Sequence, residues 1–105
     1  MGLKLYWTDF SQKELKSIYS YYREKAGKRI ASKIIDGIYY ETCKLQKQPK
    51  IGQIEELLIN RKQEFRHLIF KNYKIIYWIN EEEERIEIND VFDTRQNPIK
   101  LERTK

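Results

Sequence analysis

The order of elements along these 105 residues predicts an α+β fold. It has an N-terminal strand, an αα-hairpin and then a four-stranded antiparallel meander, forming one sheet covered by the helices. Two observations carry this. From Phe65 onward the chain is a series of β-rich runs parted by polar turns, with Tyr73-Lys74-Ile75-Ile76-Tyr77-Trp78-Ile79 almost wholly β-branched or aromatic. Upstream, apolar residues recur at helical spacing in two successive stretches with a glycine between them.

Taken in order, Leu3, Leu5 and Trp7 alternate with Lys4 and Tyr6, as in a half-buried strand. Ser11-Gln12-Lys13-Glu14 matches a capping box, in which the Ser hydroxyl and the Glu side chain satisfy unpaired N–H groups of the first turn. Leu15, Ile18, Tyr19, Tyr22 and Ala26 then form one stripe, and Gly27 ends the helix. The second helix starts near Lys28. Ile30, Ala31, Ile34, Ile35, Ile38 and Leu45 line its face, and it stops before Pro49. So short a joint folds the two helices back on each other. Gly37 weakens the second helix, and close packing is the ordinary reason to tolerate it.

Pro49-Lys50-Ile51-Gly52 reads as a turn, Gln53 to Ile59 as a short edge strand, and Asn60-Arg61-Lys62 as a basic turn into the meander. Phe65 to Phe70 is apolar with Arg66 and His67 set into it. Glu81 to Glu84 mark a solvated hairpin tip, Arg85-Ile86-Glu87-Ile88 alternates, and the last strand runs through Val91 and Phe92 toward Arg95 and a stop at Pro98. Alternation places Tyr73, Ile75, Tyr77 and Ile79 on one face of the sheet and Lys74, Ile76 and Trp78 on the other, one row being core.

Composition bounds the rest. With 40% hydrophobic and 35% charged residues the chain is one globular domain over residues 1–105, not a disordered one. The net charge of +5 is uneven. Residues 1–52 hold eleven Lys/Arg against five Asp/Glu, and residues 53–105 hold ten against eleven. Such a balance suits a polyanionic partner but is also common among plain globular proteins. Cys43 is the only cysteine, so no internal disulfide forms, and a reducing cytoplasm is the expected compartment. No apolar run reaches membrane-spanning length. One Cys and one His without a carboxylate cluster indicate no metal, and no cofactor motif stands out.

These landmarks, in this order, resemble the RelE/ParE toxin superfamily of bacterial toxin–antitoxin modules, also called plasmid-stabilisation proteins. The residues that carry the resemblance are Trp7-Thr8, Leu45 followed by Pro49 and Gly52, Phe65-Arg66, Tyr73-Lys74-Ile75-Ile76-Tyr77, and Val91 through Arg95-Gln96-Asn97-Pro98. The resemblance covers nearly the whole chain. It implies a growth-inhibiting toxin held in a hetero-oligomer by a cognate antitoxin that wraps the helices and sheet, with Tyr19, Tyr22 and Tyr39 as candidate contacts. RelE-like members cut messenger RNA on the ribosome, whereas ParE-like members act on DNA gyrase.

RNA cleavage by the 2′-OH needs a base, cations for the phosphorane charge and an acid for the leaving oxygen. By resemblance the catalytic candidates are Arg66, Arg95 and His67, with Arg61, Lys62 and Lys71 extending a target- or nucleic-acid-binding patch. Should Arg66 face the open side of the sheet, His67 faces the helices as a core residue; a bulge would reverse this. The tail after Arg95 holds no Tyr or His where the RelE-like acid stands. That departure places the chain nearer the ParE-like branch, a gyrase-binding toxin, with the mRNA endonuclease as the alternative. A degenerate module, with the fold but no toxicity, is a third reading.

Overall fold

The computed structural model describes residues 3–95. Its strands are β1 (Lys4–Trp7), β2 (Gln53–Ile54), β3 (Arg66–Phe70), β4 (Tyr73–Asn80) and β5 (Arg85–Asp93), and its helices are α1 (Asp9–Ala26) and α2 (Lys28–Cys43). The strands form one sheet in the order β1-β5-β4-β3-β2. The last four make the expected antiparallel meander, while β1 joins the free edge of β5 in parallel, Lys4 opposite Arg85 and Trp7 opposite Ile88. The sheet is therefore mixed. Among the described residues no helix is long and apolar enough to cross a membrane.

Helix boundaries follow local chemistry. The cap of α1 stands three residues ahead of the expected Ser11: Thr8 is the cap, and its Oγ1 accepts from the Ser11 N–H at 3.1 Å. Ser11 is fully buried inside the first turn and returns a hydrogen bond to the Thr8 carbonyl at 2.8 Å. Thr8 does the capping because its hydroxyl also reaches the Ile88 carbonyl, which ties the helix start to the sheet. Gly27 ends α1 as expected, at a φ of +93° that an L side chain disfavours. Gly37 is packed as expected too: a Cβ there would stand 2.2 Å from the Phe70 ring.

Both faces of the sheet are covered. On one, Ile34, Ile38 and Leu45 pack over Leu68, Tyr73, Ile75, Tyr77, Ile86, Ile88 and Val91, with Leu15 and Ile18 of α1 beside them. On the other, Ile76 and Phe92 are buried under Leu58 and Phe65. Both rows of β4 are thus apolar core. That is why its sequence is nearly continuous in β-branched and aromatic residues.

The cover on the second face replaces the edge strand expected over Gln53–Ile59. β2 is only two residues long, after which Glu56–Leu58 turns as a single 3-10 turn and folds back over the sheet. Glu55 starts that turn by accepting the Leu57 N–H at 3.1 Å through its carboxylate. Leu58 and Phe65, buried to 4% and 2% exposure, drive the fold-over because neither could be buried along an extended edge.

The turn over residues 49–52 is stapled to β4 by Tyr77. Its ring is fully buried, and its hydroxyl accepts from the Gly52 N–H at 3.0 Å and donates to the Pro49 carbonyl at 2.8 Å. A Cβ on Gly52 would come within 2.6 Å of that hydroxyl. We expect Tyr77→Phe to lower stability by about 1–3 kcal/mol in urea titration, because it strands the buried Gly52 N–H and the part-buried Pro49 carbonyl without creating a cavity. A loss below about 0.5 kcal/mol would show that water replaces the hydroxyl.

Candidate functional site

The residues singled out by sequence separate into four places. Arg66 lies opposite Tyr77 in the β3–β4 ladder and shares the side of Leu68 and Phe70, toward the helices. There its Nη1 donates to the Gly52 carbonyl at 2.8 Å and the Lys50 carbonyl at 3.3 Å, and its Nη2 to Glu64 at 2.8 Å. Arg66 thus reinforces the Tyr77 staple. Arg66 and His67 therefore take the faces opposite to those of the open-side arrangement, and no bulge in β3 is involved: the register shift in the sheet lies between Ile76 and Tyr77 of β4, against β5.

His67 points to the second face, where the folded-over segment meets the sheet. Glu55 is 2% exposed and holds two cationic or basic partners on one oxygen: Lys74 Nζ at 2.9 Å and His67 Nδ1 at 3.0 Å. The His67 approach is close but poorly aligned for a hydrogen bond. Burial and the neighbouring Lys74 charge lower the His67 pKa below 6.5, against the opposing pull of Glu55. Neutral imidazole beside an ammonium–carboxylate pair is the form this geometry favours.

Arg95 is at the other end of the sheet, just past β5. Its guanidinium forks onto Asp93, Nε at 3.1 Å and Nη2 at 2.9 Å, and the Arg95 backbone N–H adds a third contact at 2.9 Å. This pair, helped by Asn72, brings the Asp93 pKa down to about 2. Tyr73 beside it is pushed above the ordinary phenol range by burial first and by its hydrogen bond to Tyr22 second. With Glu14, Ser17, Ile18 and Tyr21 these residues line a hollow of about 350 Å³ between α1 and the sheet end.

Arg66 and Arg95 do not converge. Arg66 pairs with Tyr77, and Asp93 pairs with Tyr73, so along β4 alone they are roughly 13 Å apart at about 3.3 Å per residue. The basic candidates divide in the same way. Arg61 and Lys62 lie in the loop leading into β3, near the Arg66 end, whereas Lys71 sits at the β3–β4 turn with φ of 53° and its ammonium over the Phe70 ring. Gln96, Asn97, Pro98 and the rest of the tail lie outside the described residues, and with them the expected stop at Pro98.

The three tyrosines also part. Tyr22 packs half-buried against the helix-side core, and its hydroxyl accepts from Tyr73 at 3.4 Å. Tyr19 borders a shallow groove of about 400 Å³ between the helices, with Leu15, Lys16, Ser20 and Ile35. Tyr39, one turn beyond Ile35 on α2, is 52% exposed. Sequence reasoning missed Glu55 and Lys74 as a site. The signal was slight, a buried acid in an exposed-looking stretch, visible only once the edge strand is known to fold over. Among the described residues no three His, Cys, Asp or Glu side chains come together as metal ligands would.

The fold and the sequence both match proteins of the RelE/ParE superfamily. The model of one family within it, the ParE toxin of type II toxin–antitoxin systems (parDE), matches residues 5–98, and the chain belongs to that family. In a solved structure of the chromosomal ParDE toxin–antitoxin system from P. aeruginosa, one chain aligns with a TM-score of 0.71 at 19% identity, over 87% of this chain and 95% of that one. At that identity the likeness speaks to fold. No curated protein matches the sequence.

Two titrations test the site electrostatics. In NMR, the His67 midpoint is expected below 6.5, falling further in Glu55→Gln and rising in Lys74→Met, because these remove an opposing and a reinforcing charge respectively. Since the folded pKa is the lower one, His67 contributes stability at neutral pH that is lost as pH falls below about 6.5. Arg95→Ala is expected to return Asp93 from about 2 toward 3.8. The stability tied to Asp93 is present above 3.8 and disappears as acidification approaches 2, so in the variant the acid limb of a thermal-stability profile should flatten there.

Proposed function

We propose that this chain is the toxin of a bacterial type II toxin–antitoxin (plasmid stabilisation) module, acting by binding DNA gyrase and neutralised by a cognate antitoxin. Membership of the ParE family supports the toxin role. The observation that carries the mechanism is the fate of the two arginines. Arg66 is spent on the backbone of residues 50–52 and on Glu64, and Arg95 is clasped by Asp93 at the far end of the sheet. Cations committed to separate structural tasks cannot gather on one phosphorane, so binding a protein target is the reading favoured over cutting RNA.

The antitoxin's place is the groove between the helices. Leu15 and Tyr19 on α1 and Ile35 and Tyr39 on α2 offer two apolar walls at helical spacing, which suits an amphipathic helix laid along the hairpin. The complex is then a hetero-oligomer in which the antitoxin covers this layer.

An mRNA endonuclease is the second reading, and one observation favours it: His67, the Glu55 carboxylate and the Lys74 ammonium bring a base, its charged neighbour and a cation together on the second face. It would use these groups in place of a paired Arg66 and Arg95.

Induction of the chain alone, with protein and DNA synthesis followed by separate isotope pulses, tells the readings apart. The gyrase reading expects DNA synthesis to stop first and purified gyrase to lose supercoiling activity. An early stop in translation, abolished by His67→Ala in a folded protein, would move the assignment to the nuclease. The groove has its own check: Tyr19→Ala with Tyr39→Ala should weaken antitoxin binding at least about tenfold, or about 1.4 kcal/mol, while Tyr22→Phe leaves it unchanged.

A further inference from the structure

The tip of the helical hairpin carries charge that the fold does not use. α1 passes into α2 across the single residue Gly27. Arg23, Lys25, Lys28 and Arg29 flank that joint, all four exposed, with Glu24 the one acid among residues 23–29. Among the described residues none of the four enters an ion pair.

Arg23 and Lys25 have an ordinary reason to be there, because a cation near a helix C-terminus meets the negative end of the dipole. Lys28 and Arg29 stand in the opposite relation. They occupy the first turn of α2, where the dipole is positive, no acid shares the turn and Gly27 supplies no side-chain cap. Cations placed against the helix's own field, with no partner in the fold, answer to something outside it.

The composition of the patch says what that is. Ala26 is the one apolar side chain in residues 23–29, and the exposed Tyr21 and Ile30 lie at the margins of the patch, not at its centre. A protein interface needs an apolar or aromatic centre, whereas a phosphate backbone asks only for cations and N–H donors. We propose that the hairpin tip binds the phosphate backbone of double-stranded DNA through Arg23, Lys25, Lys28 and Arg29, without reading bases. This goes beyond action on gyrase and does not depend on it.

The test is fluorescence anisotropy of the full chain, made by cell-free synthesis, on a labelled random-sequence duplex of about 20 base pairs across a salt titration. Four phosphate contacts predict a log–log salt slope of about −3.6, at about −0.9 each. Lys28→Gln with Arg29→Gln should remove about half of that slope, while the thermal midpoint rises by a few degrees as the adverse charges leave the helix start. An unchanged slope in that variant would overturn the proposal. So would an equal loss in Lys47→Gln with Lys50→Gln, beyond the far end of α2, since binding would then follow net charge. Failure to bind DNA at low salt, with tip-dependent binding of polyglutamate, would overturn it in favour of an acidic protein partner.

Discussion

One buried hydroxyl joins the two layers of this molecule. Tyr77 sits in the middle strand with its ring in the helix-side core, and its oxygen takes up the two backbone groups of the turn that leaves the helices. Arg66, across the ladder, takes up two more carbonyls from the same turn. From that anchor the chain makes only two residues of strand before crossing to the other face of the sheet. Without the anchor, the segment that shields Ile76 and Phe92 would hang from a two-residue ladder, too short to fix its path. A polar group on the helix-side core thus helps to fix the segment that covers the opposite face.

The same arrangement accounts for the distribution of charge. A sheet buried on both faces leaves little room for a polar centre, and each cation that enters it must be matched. Glu55 neutralises Lys74 under the folded-back segment, Glu64 partly neutralises Arg66 at its margin, and Asp93 holds Arg95 at the sheet end. The outer side of the hairpin, by contrast, has a groove, an exposed Tyr39 and cations without ion pairs among the described residues.

Much of the architecture was legible because strong local signals agreed: continuous β-branched runs, a glycine between two helical stripes, and four glutamates at a hairpin tip. The capping residue was misplaced because Ser11 and Glu14 spell a capping box as well as Thr8 does, and only the Ile88 carbonyl favours Thr8. The edge strand was overextended because Ile54, Leu57 and Ile59 look strand-like one by one, while the gain from burying Leu58 and Phe65 is tertiary. The partners of Arg66 were not legible, because its hold on the Lys50 and Gly52 carbonyls depends on where the turn at residues 49–52 lies, and tertiary packing sets that.

The parallel pairing of β1 with β5 has a bearing on synthesis. Lys4 waits for Arg85, so the edge strand β1 finds its place on β5 only when most of the sequence has been made. A nascent chain therefore has a helical hairpin long before it has a sheet, and loop closure of that span is among the slower steps of folding. No shorter product can bury Ile86 and Ile88 or shield β4 on its β5 side. A fragment that ends before β5 therefore has neither the edge that receives β1 nor the strand that flanks β4.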